Sequence, residues 1–116
     1  MNRRLLIVVT EDPRQSARPA EAIRIAAGVG AWKQVDVTVC LRGEAVRALG
    51  EFSAELKDGE SFLRYLPLIA EQRRSICVQQ GSAALKELGE PTAKFEEISD
   101  ARLAELVAQH DYVIRF

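Results

Sequence analysis

Five consecutive aliphatic residues, Leu5-Leu6-Ile7-Val8-Val9, stand near the start of the chain with no polar residue among them. A strand with one face in water alternates apolar and polar side chains, so an unbroken run of strand length belongs in a sheet covered on both faces. The polar stretch EDPRQSARP follows, and then PAEAIRIAAGVG, in which Ala22, Ile25, Ala26 and Val29 recur at helical spacing. Pro19 suits the first turn of that helix, and Gly28 or Gly30 its end. Strand, loop and helix in this order open a parallel β-α-β unit.

The alternation continues along the chain. Residues 35–41, VDVTVCL, read as a second strand, and Gly43 permits a tight turn into a short helix over 44–49. The stretch GEFSAELKDGE, with Gly50 and the pair Asp58-Gly59, reads as a surface loop. Phe62, Leu63, Leu66, Ile69 and Ala70 keep helical spacing, but Pro67 falls among them and predicts a helix in two pieces. Further strands are predicted over 74–79, 93–97 and 112–116, in addition to 4–10 and 35–41. Ser82 is placed to cap a helix through Leu88, with Gly89 and Pro91 stopping it. Ser99 or Asp100 caps a last helix whose stripe is Leu103, Leu106, Val107 and His110. The expected architecture is α/β: one domain over residues 1–116, a mainly parallel five-stranded sheet with helices on both faces, in flavodoxin- or Rossmann-like layering. In such a sheet the loops at the carboxyl ends of the strands host function, here 10–19, 41–43, 79–82 and 99–100.

Composition narrows the chemistry. A chain of 116 residues suits one domain, and sixteen Lys plus Arg against seventeen Asp plus Glu leave no excess charge for nucleic acid or an anionic membrane. Leu5 to Val9 is too short for a signal sequence or a membrane span. Two cysteines and one histidine make neither a conventional zinc site nor a disulfide framework, so no metal is expected and a reducing, cytoplasmic setting is. The loop after the first strand has no glycine, against a dinucleotide site, and no other cofactor is indicated. Glu11 and Asp12 resemble the metal-binding acids of a phospho-acceptor domain, but the third strand offers Cys77 and Gln79 where that chemistry needs an aspartate. His110, in a last helical turn, reads as a partner for the helix dipole or as a stripe residue.

The thiols remain. Cys40, in a strand rich in valine, reads as a small core residue. Cys77 lies within two residues of the carboxyl end of its strand, just before a predicted helix whose N-terminus would favour a thiolate. Burial in the core is the other reading of Cys77, and pattern alone leaves both open.

The segments LLIVVTEDPRQSARPAEAIRIAAGV, VDVTVCLRGEAVRAL and ISDARLAELVAQHDYVIRF, together with a cysteine ending a later strand, resemble the DsrE/DsrF-like family of sulfur-relay and YchN-like proteins. The resemblance covers nearly the whole chain. It implies a YchN-like fold, assembly as a homo-oligomer or with related subunits, and a cysteine in a Cys-Val context that carries sulfur as a persulfide between protein donors and acceptors. Cys77 is the matching position. Gly81 and Ser82 would support its thiolate, and Arg14 and Arg18 would steer an anionic sulfur species or partner carboxylates. The sequence after Cys77 departs from the active pattern, with Gly81 early and only Lys86 and Gly89 loosely spaced beyond it. The alternative the resemblance implies is a non-catalytic interaction subunit whose cysteines are structural. The stretch Phe52 to Leu68, with Phe62, Tyr65 and Leu66, is the expected contact surface between subunits.

Overall fold

The computed structural model describes residues 2–71 and 76–116. Its strands are β1 (Arg3–Val9), β2 (Val35–Leu41), β3 (Ile76–Gln79), β4 (Glu96–Ile98) and β5 (Tyr112–Arg115), and its helices α1 (Arg18–Gly30), α2 (Glu60–Glu71) and α3 (Asp100–Gln109). Short 3-10 helices occupy Gly43–Leu49, Ser53–Glu55 and Ala83–Glu87. The strands form one sheet in the order β4-β3-β2-β1-β5, and every neighbouring pair is parallel. The expected α/β architecture and all five strands are therefore present. Residues 74 and 75 of the third predicted strand lie outside the described residues, and the fourth begins at Glu96 rather than at 93.

The two faces of the sheet are covered unequally. Leu5, Ile7 and Val9 of β1, Val37, Val39 and Leu41 of β2, and Ile76 and Val78 of β3 point to one side, where α1, α2 and the 3-10 helices pack. Phe62, Leu66 and Ile69 anchor α2 there at no more than 1% exposure, and each fully buried side chain contributes roughly 1.5–3 kcal/mol. The alternate residues, Leu6 and Val8 of β1, Cys40 and Cys77, meet Ile98 and Leu106 on the other side, where α3 is the one helix among the described residues. The continuous run Leu5–Val9 is explained by this arrangement, since its residues serve both cores in turn.

Four local expectations are corrected. α2 passes through Pro67 without a break, because Phe62 before the proline and Leu66 and Ile69 around it hold the two halves on one buried face. The buried side of α1 is Pro19, Ala20, Ala22, Ile23, Ala26, Ala27 and Gly30, which turns Ile25 outward at 41% exposure. The inner face is therefore built from alanines together with Ile23, and Ile25, two residues on, falls outside it. The segment after Ser82 is five residues of 3-10 helix, too short for α-helical turns because Ala84 and Leu88 are pinned in the core and Gly89 reverses at φ +66°. The stretch read as a surface loop holds a buried residue, Ser53, and there Gly59 approaches so closely that a Cβ would lie 2.1 Å from the Ser53 carbonyl oxygen.

Candidate functional site

The carboxyl ends of the strands converge as expected. Arg42, leaving β2, donates its backbone N–H to the Val9 carbonyl at the end of β1, and Gln80, leaving β3, donates to the Ile98 carbonyl at the end of β4. Side chains then tie these turns together. Gln79 Oε1 accepts from the Gly43 N–H at 2.9 Å, and the Ser82 hydroxyl donates to the Gly43 carbonyl at 3.1 Å. Gly43 holds φ +55°, a conformation glycine adopts without strain, and so presents both backbone groups to the β3 turn. Arg42 Nη2 reaches Asp100 Oδ1 at 2.9 Å and joins the β2 turn to the start of α3. Ser99 Oγ accepts from the Arg102 N–H at 3.1 Å and caps that helix.

Cys77 lies beneath this rim. Its exposure is 3%, its neighbours are apolar, and Cys40 stands directly beside it in register on β2. Burial, helped by Cys40 and Glu96 and opposed by Arg102, pushes the Cys77 thiol up to about 11. Burial likewise pushes the Cys40 thiol up to about 11, with Arg42 opposing. The helix N-terminus expected to favour a Cys77 thiolate is replaced by the 3-10 turn Ala83–Glu87, and Ser82 caps no N–H there but bonds to Gly43. Gly81 is exposed at φ +77° in the turn that follows β3.

Arg14 and Arg18 lie elsewhere. Arg14 forks onto Asp12, whose carboxyl it holds below the usual range, and also reaches Glu44 at 3.2 Å. Arg18 pairs with Glu11 at 2.8 Å and lies over the ring of Phe116, which packs into the larger core on the side opposite Cys77. Both guanidinium groups are thus already matched by carboxylates. A cleft of about 180 Å³ beside Arg14, lined also by Arg47, Phe52, Ser53 and Glu87, is matched in the same way, since Arg47 is paired with Glu44 and Glu87. His110 ends α3 with Nδ1 2.6 Å from the Leu106 carbonyl oxygen and Nε2 3.3 Å from Thr38 Oγ1, a link between helix and sheet. Among the described residues no group of three or more His, Cys, Asp or Glu side chains could hold a metal ion, and no helix is long and apolar enough to cross a membrane.

Sequence reasoning missed the clasp made by Gln79, Gly43, Arg42 and Asp100. Its partners are 36 and 58 residues apart, so only the parallel topology brings them together. Phe62 and Leu66, expected at a subunit contact, are fully buried within the chain, and the exposed large apolar residues of that region are Phe52, Leu63 and Leu68.

No protein-family profile matches the sequence, and no curated protein matches it. Among solved structures, the crystal structure of the YchN protein from E. coli matches over 100% of both chains, with a TM-score of 0.83 at 18% sequence identity.

Proposed function

We propose that this chain, which has the fold of the YchN protein, works as a non-catalytic interaction subunit of a DsrE-like oligomer in the cytoplasm, with both cysteines serving as core residues. The observation that carries this reading is the burial of the thiols, 0% exposed at Cys40 and 3% at Cys77. Sulfur relay asks a thiolate to attack the outer sulfur of a donor persulfide and then asks an acceptor thiolate to reach the sulfur so gained. With the Cys77 thiol near 11, its thiolate fraction at pH 7 is about one in ten thousand, and apolar side chains surround it. The rim above it is fastened by side-chain hydrogen bonds and an ion pair rather than left open for a partner thiol.

A second reading, favoured by the position of Cys77 two residues before the end of β3, makes it a persulfide carrier whose cover opens on meeting its donor. Gly81 and Ser82 in the adjoining turn would then frame the sulfur. Arg14 and Arg18 would act from the far side, at the partner surface. Intact mass of the native protein after exposure to a persulfide donor separates the two readings. The subunit reading expects no added sulfur in wild type. One added sulfur in wild type and in Cys40→Ala, absent in Cys77→Ala, would replace it with the carrier reading.

A further inference from the structure

The two thiols share more than burial. Cys40 on β2 and Cys77 on β3 are register partners, set between the pairs Val39–Ile76 and Leu41–Val78. Across the sheet the row runs Val8, Cys40, Cys77, Glu96, so each cysteine has the other as one of its lateral neighbours. Side chains alternate faces along a strand, and both cysteines fall on the face that α3 covers, in one cluster with Leu6, Val8, Ile98 and Leu106. Register partners on adjacent strands stand about 4.7–4.9 Å apart. A disulfide spans about 4.4–6.8 Å between Cα atoms and about 3.5–4.5 Å between Cβ atoms. The pair meets the first span, and its side-by-side Cβ atoms stand close to the upper end of the second. β3 is four residues long and joins β2 through three register pairs, so little structure opposes drawing it in by the distance that remains.

We propose that Cys40 and Cys77 are an oxidative modification site, at which exchange with a low-molecular-weight disulfide closes an intramolecular bond that staples β2 to β3. Such a link goes beyond both functional readings and rests on neither. Cys77, at 3% exposure against 0% for Cys40, meets the oxidant first, through local opening of the cover made by Leu103, Leu106 and Val107. Its thiolate attacks one sulfur of the reagent, RSSR. A new S–S bond joins Cys77 to RS, the bond within the reagent breaks, and the RS− released takes up the proton that Cys77 gave. The Cys40 thiolate then attacks the Cys77 sulfur, and the second RS− leaves with the proton of Cys40. The protein has lost two hydrogens and the reagent has become two thiols. Both steps are slow at neutral pH because burial holds the two thiols protonated, so the link answers sustained oxidation of the surroundings rather than a brief pulse. A bond at the wide end of disulfide geometry is also readily reduced, as a reversible link in a reducing compartment must be. It ties together the same two strands whose following turns are joined by the bonds of Gln79 and Ser82 to Gly43.

Oxidised glutathione, added to the intact native chain, is the probe. Wild type is expected to lose two hydrogens by intact mass, to offer no thiol to an alkylating reagent in urea, and to yield a proteolytic fragment pair joined through Cys40 and Cys77. Dithiothreitol should reverse all three. Circular dichroism should be unchanged, and the linked protein should unfold at a higher urea concentration than the reduced one, because the closed loop over 41–76 restricts the unfolded chain. Cys40→Ala should stop at the mixed disulfide, one glutathione heavier, and Cys77→Ala should lose no hydrogens. Wild type that halts at mixed disulfides, that links between chains, or that keeps both thiols through an exposure sufficient to link the urea-unfolded chain overturns the proposal. A linked form with a lower urea midpoint overturns it as well, since that bond would have been made in the unfolded chain and opposed by the fold. The wild-type measurements decide alone should a variant not fold. The sulfur-mass experiment, which uses a persulfide donor, judges the functional readings separately.

Discussion

Cys40 and Cys77 are register partners on the neighbouring parallel strands β2 and β3, and both side chains belong to the small core beneath α3. Each thiol therefore sits in an apolar cluster with the other cysteine beside it. A charge on Cys40 raises the cost of a charge on Cys77, which reinforces what burial alone does to that thiol.

At neutral pH a water-soluble thiol reagent should label both cysteines of the native protein far more slowly than those of the urea-unfolded chain. Stability should also depend on pH. The folded thiols titrate near 11 against 9.0 for an unperturbed thiol, so their contribution is whole below pH 9 and is lost as the pH rises toward 11. Subtracting the urea midpoints of a Cys40→Ala, Cys77→Ala double variant from those of wild type across this window isolates the effect from lysine and tyrosine titration. A flat difference would contradict it.

Replacement of Cys77 should obey polarity before size. Cys77→Ser preserves the volume but buries a hydroxyl among Leu6, Ile98 and Leu106, at a cost of about 1–3 kcal/mol if it finds no partner. Cys77→Ala forfeits contacts, at about 1 kcal/mol. The serine variant should therefore unfold at the lower urea concentration. The reverse order would mean that position 77 meets water in the working protein.

Gly59→Ala should destabilise by about 1–3 kcal/mol or more, because the new methyl would stand 2.1 Å from the Ser53 carbonyl oxygen and 2.7 Å from the Ala54 carbonyl carbon, both backbone atoms unable to yield cheaply. Gly28→Ala, exposed on α1 with open space around it, should be neutral or stabilising by up to about 1 kcal/mol. Thermal melts of the two variants would show opposite displacements.

Ser99→Ala should cost about 1 kcal/mol by freeing the Arg102 N–H from its cap, while Ser99→Asp should retain the bond and add charge at a helix N-terminus. The ordering Asp, Ser, Ala in melting temperature is the check.

The legible parts of this fold were those written in local periodicity. Leu5 to Val9 declared a strand covered on both faces, and Ser99 declared the start of α3, because each signal lies within a few neighbouring residues. Pro67 misled because local propensity counts a missing hydrogen bond but not the buried side chains that hold the helix on either side of it. Ile25 misled because the buried arc of α1 is centred on Ala22, Ile23, Ala26 and Ala27 and takes in Ile23 rather than Ile25. For Cys77, the end of a strand was readable, but its cover comes from α3, far along the chain, and the helix expected after it tightened into a 3-10 turn. The clasp of Gln79 on Gly43 and of Arg42 on Asp100 had no local signal at all, since it exists only once the strands lie side by side.

The unequal covering of the sheet has a kinetic consequence. α3 is ten residues long, with Leu106 buried and Leu103 and Val107 partly so, and among the described residues it is the helix that covers its side of the sheet. Lifting it parts no strands and leaves the larger core untouched, so it is a sub-global opening of lower free energy than complete unfolding. The rate at which a thiol reagent reaches Cys77 then times the departure of one helix, and amide hydrogens in α3 should exchange before those of β1 and β2. The two cysteines are in this sense a clock set into the thinner wall of the protein.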